Sequence, residues 1–285
     1  MAAVTGPGYQ GAPPVRVGRR GRWPAGLVAV WIVLLVAGVY WSARNDPATV
    51  QEQRDIGQAV PELRKATGML VAAAQDERWV IRLGELRIES CSLNPAWTGK
   101  RVSRDLTVYV PEGEAAAALD GIAAGLPEKY GAGVVKTRGA TRLSLYADAG
   151  EFIAIDAEAQ STDQVLTVRV DSGCRPPTGT VDQADPAAGE APEIFAATLA
   201  TLGVSDDRAE VRAVACPGGG TAATYVADAG TTEPDGAPRG LPDGAMPVWS
   251  EGGEWAYRAG SASVVATADG GRLVVSVTTA CRAGP

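Results

Sequence analysis

Hydrophobic and polar residues follow helix-like or strand-like patterns along much of this chain. One long apolar stretch contains no charged residue. Residues 25–43 form an apolar run of 19 residues. At about 1.5 Å per helical residue such a run is roughly 28 Å long, close to the hydrocarbon thickness of a bilayer. Because backbone amides in lipid must be satisfied within the segment, we expect a transmembrane helix over 25–43.

The flanks of this run predict its orientation. The preceding tail, residues 1–24, has no acidic residue and contains four arginines: Arg16, Arg19, Arg20 and Arg22. Aromatic rings, which favour the headgroup layer, stand at both ends of the run: Trp23, Tyr40 and Trp41. By the positive-inside rule the N-terminus is cytoplasmic and the rest of the chain is outside. The tail is rich in Gly and Pro and is expected to be disordered.

A cleaved signal peptide is the competing interpretation of the same run. Cleavage needs small residues in an A-x-A arrangement, whereas the run ends in Tyr40-Trp41-Ser42-Ala43, with a bulky Trp where a small side chain is required. No cysteine lies near the run, so lipid attachment of the bacterial type is not expected. The sequence therefore favours an uncleaved anchor.

A polar segment and an amphipathic helix follow the anchor. Asp46-Pro47 is a helix-start signal, so residues 44–58 are predicted to form a helical stalk. The next helix is predicted to start near Pro61, with apolar residues three and four positions apart: Leu63, Ala66, Leu70 and Ala73. Its apolar face can pack on a sheet.

Segments rich in alternating and β-branched residues define two modules. In module one (59–177), strands are predicted at 79–92, 106–110, 142–147, 152–157 and 165–170, with a turn at 94–99. A second helix is predicted over 112–126 and ends at Pro127. Because helices and strands are mixed in this order, we expect an α+β fold, with helices packed on an antiparallel sheet.

Module two (191–285) follows a proline-rich linker, 178–190, and repeats this plan in shorter form. Its helix contains Phe195, Leu199 and Leu202. Its strands are predicted at 210–216, 221–226, 257–267 (a break at Gly260 being left open) and 272–279. A stretch rich in Gly and Pro, 231–247, replaces the long helix of module one.

Four short matches occur in the same order in both modules. In each module a leucine precedes the second cysteine by eight residues and an arginine follows it: Leu166, Cys174 and Arg175, and Leu273, Cys281 and Arg282. The other matches are Glu85–Cys91 with Glu210–Cys216, Pro61-Glu62 with Pro192-Glu193, and Gly125–Glu128 with Gly240–Asp243. Four collinear matches predict an internal duplication.

The duplication also predicts how the four cysteines pair. An even number of cysteines in an extracytoplasmic segment indicates two disulfides, for which three connectivities exist. The repeated pattern favours Cys91–Cys174 and Cys216–Cys281, one bridge within each module. No pair has C-x-x-C spacing, so thiol redox catalysis and thiolate zinc sites have little support.

Composition and charge exclude several classes of function. Histidine is absent, which removes Ser-His-Asp and Cys-His catalysis and histidine metal sites. The chain has 26 basic and 33 acidic residues, and four of the basic ones lie in the tail. The part beyond residue 24 therefore has 22 against 33, a net charge of −11, and no nucleic-acid partner is expected. Arginine is far commoner than lysine, a bias associated with high-GC bacterial genes.

No motif supplies a complete catalytic, cofactor or metal site. Pro217–Gly220 is glycine-rich, but the following residues favour a strand instead of the helix that a phosphate site needs, so a wide turn is predicted. No spacing selects a pair of carboxylates, Asp206-Asp207 is expected in a turn, and no lysine stands in S-x-x-K. Asp235 and Asp243 lack the pattern of a calcium loop.

Three tryptophans lie near predicted turns: Trp97, Trp249 and Trp255. Exposed indoles at these places would stack on sugars or pack against a partner protein, whereas buried ones would close the edge of a small core. The sequence favours the core role.

These observations predict a non-enzymatic, membrane-anchored protein of the bacterial cell envelope that binds or assembles with an envelope protein. The first alternative is an ectodomain that binds a small ligand or glycan in the cleft between the modules. The second alternative is a hydrolase that uses carboxylates only.

Overall fold

The computed structural model describes residues 23–45, 54–177, 181–204, 208–231, 240–242 and 245–281. The chain divides into two compact units, Met1–Pro47 and Ala48–Pro285. Helix α1 (Trp23–Asn45) belongs to the first unit, and both modules belong to the second.

Helix α1 covers the apolar run. Its side chains are described from 26 to 42, and the large apolar ones are exposed, with Leu27 at 63% and Trp41 at 68%. Within the described residues, no helix has both the length and the mean hydropathy of a membrane span. The transmembrane span predicted over 25–43 is therefore not confirmed.

Module one is a six-stranded antiparallel sheet with helices α2 (Ile56–Ala73) and α3 (Ala115–Gly125) packed on one face. The strands are β1 (Val80–Asn94), β2 (Trp97–Tyr109), β3 (Gly133–Lys136), β4 (Arg142–Asp148), β5 (Ala154–Gln160) and β6 (Val165–Asp171). Their order across the sheet is β1-β2-β6-β5-β4-β3. Side chains on β4, β5 and β6 alternate strictly between buried and solvent-facing positions, and the buried set forms the core under the helices.

Module two has the same strand order in a second six-stranded sheet. Its elements are α4 (Glu193–Thr201), β7 (Glu210–Ala215), β8 (Thr221–Thr231), β9 (Trp249–Glu251), β10 (Glu254–Ala259), β11 (Ala262–Asp269) and β12 (Arg272–Thr278). The order is β7-β8-β12-β11-β10-β9, so every strand occupies the place of its counterpart in module one. One disulfide lies in each module. The two antiparallel sheets fit the predicted duplication.

Several predicted boundaries in the first module are wrong for local reasons. Helix α2 begins at Ile56, before Pro61, because Asp55 caps it by accepting a hydrogen bond from Gln58 N at 3.0 Å. Strand β5 begins at Ala154, two residues later than predicted, because Gly150, Glu151 and Phe152 have φ of 87°, 52° and 58° and form a left-handed turn.

The remaining differences concern short strands and turns. The short strands β3 and β9 were not predicted. The segment 257–267 is two strands, β10 and β11, separated by a turn in which Gly260 has φ 59°. Strand β2 starts at Trp97, well before the predicted 106, so the expected turn at 94–99 is mostly strand.

The two modules pack against each other through β1, the edge strand of the first sheet. The backbone N of Ile81 donates to Ser263 Oγ at 3.0 Å, and the backbone N of Leu83 donates to Thr224 Oγ1 at 3.2 Å. Edge N–H groups without a strand partner are costly when buried. Hydroxyl groups of module two accept hydrogen bonds from these two N–H groups.

Apolar side chains complete the contact between the modules. Val80, Tyr109, Trp249, Ala256 and Val265 form one buried cluster, in which the rings of Tyr109 and Trp249 are 5.2 Å apart between centroids. The contact between the modules is therefore apolar and buried at these residues.

Candidate functional site

Strands β1 and β2 are longer than the sheet to which they belong. They contain 15 and 13 residues, but β6 pairs with β2 only from Ser103 to Tyr109. Residues 88–102, which we call the hairpin arm, continue the pairing of β1 with β2 beyond this ladder. At about 3.4 Å per residue, the arm reaches roughly 20 Å from Ile88 to its tip.

Trp97 lies at the tip of the hairpin arm and is 70% exposed. The side chain of Asn94 builds the turn, because its Oδ1 accepts hydrogen bonds from the backbone N of Ala96 at 2.9 Å and of Trp97 at 3.0 Å. Ser92 Oγ donates to Asn94 O at 2.8 Å. These bonds form an Asx turn. The indole is thus presented by a hydrogen-bonded turn.

Both strands of the arm are attached to the residues that follow β6. On the β1 side, Cys91 forms the first disulfide with Cys174. On the β2 side, Lys100 and Arg175 exchange two backbone N–H···O bonds of 2.8 Å each. The backbones approach closely at Gly99, where an added Cβ would lie 2.6 Å from Arg175 O and 2.8 Å from Cys174 Sγ. Cys91 and Lys100, each four positions from the turn at Pro95-Ala96, are therefore held in place, and they form the base from which the tip of the arm projects.

The other two tryptophans near turns have the core role that the sequence favoured. Trp249 and Trp255 are 8% and 0% exposed. Trp97 is the exception, and its sequence context of turn residues, Asn94-Pro95, did not distinguish it from the others. The contributions of Asn94, Gly99 and Arg175 were also missed, although Arg175 was noted as the residue after the second cysteine.

The equivalent hairpin of module two carries no such tip. Its turn is Pro217–Gly220, closed by a hydrogen bond from Cys216 N to Gly220 O of 3.0 Å, and β8 follows it directly. The predicted wide turn is confirmed, and no helix is present there to bind phosphate. The exposed indole is thus a feature of module one alone.

The second disulfide joins Cys216 to Cys281, whose Cα atoms are 5.5 Å apart. Both bridges are those expected from the duplication. The bonded sulfur atoms are not available as nucleophiles or metal ligands, and the described residues contain no free cysteine.

The predicted membrane-interface residues fall in three groups. Trp23 begins helix α1, and Tyr40 and Trp41, near its other end, are 59% and 68% exposed. The predicted basic residues lie outside the described part of the chain: Arg19, Arg20 and Arg22.

Charged side chains form a row on the face of the first sheet opposite the helices. Asp105 accepts a hydrogen bond from Arg169 Nε at 2.8 Å and contacts Arg87 Nη2. Burial alone would raise the pKa of Asp105, but the two arginines hold it below the ordinary value of 3.8. The pKa of Asp156 is raised instead, first by burial and then by the negative charge of Asp171.

Carboxylates with opposite pKa shifts are typical of acid–base catalysis. The strand register places Arg169 between Asp105 and Asp156, which puts the carboxylates two strands, or about 10 Å, apart. Polar cavities of about 480 and 170 Å³ are lined by other residues. Burial that is overcome by the two arginines explains the lowered pKa of Asp105, and burial together with the charge of Asp171 explains the raised pKa of Asp156, so neither shift requires a catalytic role.

No group of three or more metal-ligating side chains occurs among the residues that the structure describes. Asp235 and Asp243, the candidate calcium ligands, lie outside those residues.

The sequence matches no known family model and no curated protein. Its structure is similar to the crystal structure of a DUF4853 family protein from Actinomyces odontolyticus ATCC 17982 at 2.65 Å resolution. The similarity covers 60% of this chain and 90% of that chain, with 14% sequence identity and a TM-score of 0.34.

Proposed function

We propose that this chain is a non-enzymatic binding protein of the bacterial cell envelope, and that it recognises a protein partner through the tip of its hairpin arm. Trp97 is the anchor of that contact. The single observation that carries the proposal is a tryptophan 70% exposed at the end of an arm that is fastened on both strands.

The physical chemistry of the tip favours binding. In the second unit the other tryptophans, Trp79, Trp249 and Trp255, are buried, which shows that the fold can accommodate indoles in its cores. Tryptophan is enriched in interface hot spots, where it fills a pocket of the partner and is shielded from water. Because the turn and the arm are already hydrogen-bonded, little conformational entropy is lost on binding.

The convex shape of the tip favours a protein partner over a glycan. Glycan and small-ligand sites are concave and bury most of the ligand. The tip of the arm projects outward, and the contact between the modules is packed with apolar side chains. We therefore propose a protein partner, and glycan binding is an alternative outcome of the test.

The proposed location is the extracytoplasmic side of the cell membrane, with the N-terminus cytoplasmic. Disulfides persist in oxidising compartments, and this chain has two. Helix α1 exposes apolar side chains on all sides, and such a helix is stable in apolar surroundings, so we propose that it holds the protein at the membrane.

Protease treatment of intact cells tests the location. We expect the modules to be cleaved from outside and α1 to stay in the membrane fraction after alkaline carbonate extraction. Modules that are protected until the cells are lysed would contradict the proposed side, and release of the whole chain by carbonate would contradict the attachment.

Crosslinking of the full-length protein in its native cells, followed by mass spectrometry, tests the partner contact. Wild type is compared with Trp97→Ala and with Met246→Ala, which removes an apolar side chain that is 85% exposed. We expect a stoichiometric protein partner that is lost only in Trp97→Ala. With the purified partner, Trp97→Ala should raise Kd roughly 30-fold or more, as expected for a hot-spot residue.

Three outcomes would contradict the proposed contact. A partner retained by Trp97→Ala would place the interface elsewhere. Recovery of the protein without any partner would oppose the assembly role. Trp97-dependent retention on envelope glycans, in the absence of a protein, would favour the glycan alternative.

A further inference from the structure

A single residue, Arg175, connects the base of the hairpin arm to the turn between β4 and β5. Arg175 is fully buried, and it follows the cysteine that forms the first disulfide. Its backbone pairs with Lys100 of the arm through two bonds of 2.8 Å. The segment after β6 therefore reaches the arm through both a covalent bond and a pair of backbone hydrogen bonds.

The guanidinium of Arg175 contacts the turn between β4 and β5. Its Nη2 donates to Glu151 O at 2.6 Å and to Phe152 O at 3.3 Å, and its Nε donates to Ser172 O at 2.6 Å. Glu151 and Phe152 are non-glycine residues with φ of 52° and 58°. Such backbone persists only where neighbouring groups hold it, and the Arg175 fork binds both carbonyls of this turn.

The start of α2 is tied to the same place. The backbone N of Ile56 donates to Pro176 O at 3.1 Å, and Arg54 Nε lies 3.0 Å from Glu151 Oε2. The residues that lead from the N-terminal segment into α2 thus contact the turn and the segment that Arg175 connects to the arm.

We infer that Arg175 is a positioning residue that sets the place of the hairpin arm, and with it of Trp97, relative to the β4–β5 turn and the start of α2. Its importance for partner binding rests on the proposed function, whereas the positioning of the arm does not. Lysine cannot replace it fully, because a single ammonium group cannot reproduce the planar fork that binds three carbonyls.

Amide hydrogen exchange of the full-length protein in detergent, followed by mass spectrometry, tests the inference. We expect Arg175→Gln to speed exchange on the order of tenfold in 92–98 and in 150–153, with a smaller effect for Arg175→Lys. Exchange in α3 and in β10 to β12 should not change. A role in general stability would instead raise exchange in all strands together, and that result would overturn the inference.

Gly99→Ala tests the contact of the arm with the backbone of Arg175 and with Cys174, without removing the buried charge. The added Cβ would lie 2.6 Å from Arg175 O, so the arm or the segment after β6 must shift. Gly189→Ala is the matched control, because an added Cβ there meets nothing within 4 Å. We expect faster exchange in 92–98 for Gly99→Ala alone. If Arg175→Gln does not fold, Arg175→Lys and this pair of glycine variants decide together. Unchanged exchange at the tip in both Arg175→Lys and Gly99→Ala would refute the inference.

Partner binding separates the inference from the proposed function. With the partner in hand, Gly99→Ala and Arg175→Lys should weaken binding less than Trp97→Ala does. If exchange at the tip rises but no partner depends on Trp97, the positioning role stands and the proposed function fails.

Discussion

Arg104 and Asp185 form a bidentate ion pair at the junction of the modules, with Nη1 2.9 Å from Oδ1 and Nη2 2.7 Å from Oδ2. The arginine is fully buried and also donates to Ala213 O at 3.1 Å and Gly84 O at 2.9 Å. Asp185 Oδ2 in turn accepts from Ala213 N at 2.8 Å. One ion pair thus joins β2, the linker and β7.

Asp185→Ala should strongly destabilise the protein. The substitution leaves the buried guanidinium without its counter-charge and Ala213 N without its acceptor, so we expect the free energy of unfolding to fall by about 3–5 kcal/mol. Urea denaturation measures it. Glu158→Ala is the control, because its ion pair with Arg142 is 68% exposed on both sides and should contribute less than about 1 kcal/mol. Equal effects of the two substitutions would show that the junction does not depend on the pair.

The alternation and cysteine spacing of this chain were sufficient to predict its duplicated plan. In β4, β5 and β6 the side-chain pattern has period two because one sheet face is buried, and this period is visible in the sequence. The disulfides could be predicted because a collinear repeat makes pairing within each module the simplest choice. Both inferences depend on local pattern.

What the sequence did not predict depends on contacts between distant residues. Strands β3 and β9 have four and three residues, too few to show a period. The exposure of Trp97 depends on how far the hairpin extends beyond β6, and nothing near Trp97 in the sequence records that. The pairing of Leu83 N with Thr224 joins residues 141 positions apart, so the module interface has no local signal.

Removal of either disulfide should cost about the same stability. The bridges join residues 83 and 65 positions apart, and loop-closure entropy depends only on the logarithm of this separation. We expect Cys91→Ser with Cys174→Ser, and Cys216→Ser with Cys281→Ser, each to lower the free energy of unfolding by about 4 kcal/mol, with a difference of about 0.2 kcal/mol between them. Denaturation of both double variants beside the oxidised parent measures this. A double variant as stable as the parent would show that its bridge adds nothing.

Asp105→Asn should destabilise the protein at neutral pH but not in acid. The folded pKa of Asp105 is held below the ordinary 3.8, since hydrogen bonds from Arg169 and Arg87 overcome the effect of burial. The stability that this group contributes is therefore present above its unfolded pKa and is lost as the pH falls through the folded pKa. Denaturation from pH 3 to pH 7 should show the parent and the variant converging below about pH 4. A constant difference in the free energy of unfolding between parent and variant across that range would assign the effect to packing.

Asp156→Asn should have the opposite sign. Burial and the charge of Asp171 raise the pKa of Asp156, so its carboxylate opposes folding at neutral pH. Protonation favours the folded state, and this contribution is complete below the unfolded pKa and lost as the pH rises through the folded pKa. The variant should be more stable than the parent at pH 7, and the gain should disappear below about pH 4. Lower stability of Asp156→Asn at pH 7 would contradict the raised pKa.

Gly68→Ala tests the contact between α2 and β7, which belong to different modules. In an ordinary helix this substitution stabilises by about 1 kcal/mol, because alanine has the higher helix propensity. At Gly68 an added Cβ would lie 2.1 Å from the backbone carbonyl oxygen of Ala215, and that backbone is next to the disulfide-bonded Cys216. The helix or the strand must shift, so we expect a loss of about 1–3 kcal/mol instead.

Gly57→Ala, in the same helix, is the matched control. Its added Cβ would meet only the side-chain oxygen of Asp55, at 3.1 Å, which can move by a few tenths of an ångström. We expect no loss, or a gain of up to about 1 kcal/mol, in the same urea titration. Opposite signs for the two substitutions would show that α2 rests directly on the second sheet, since propensity acts alike at both positions. If Gly68→Ala also stabilises, the two modules do not approach each other at this point.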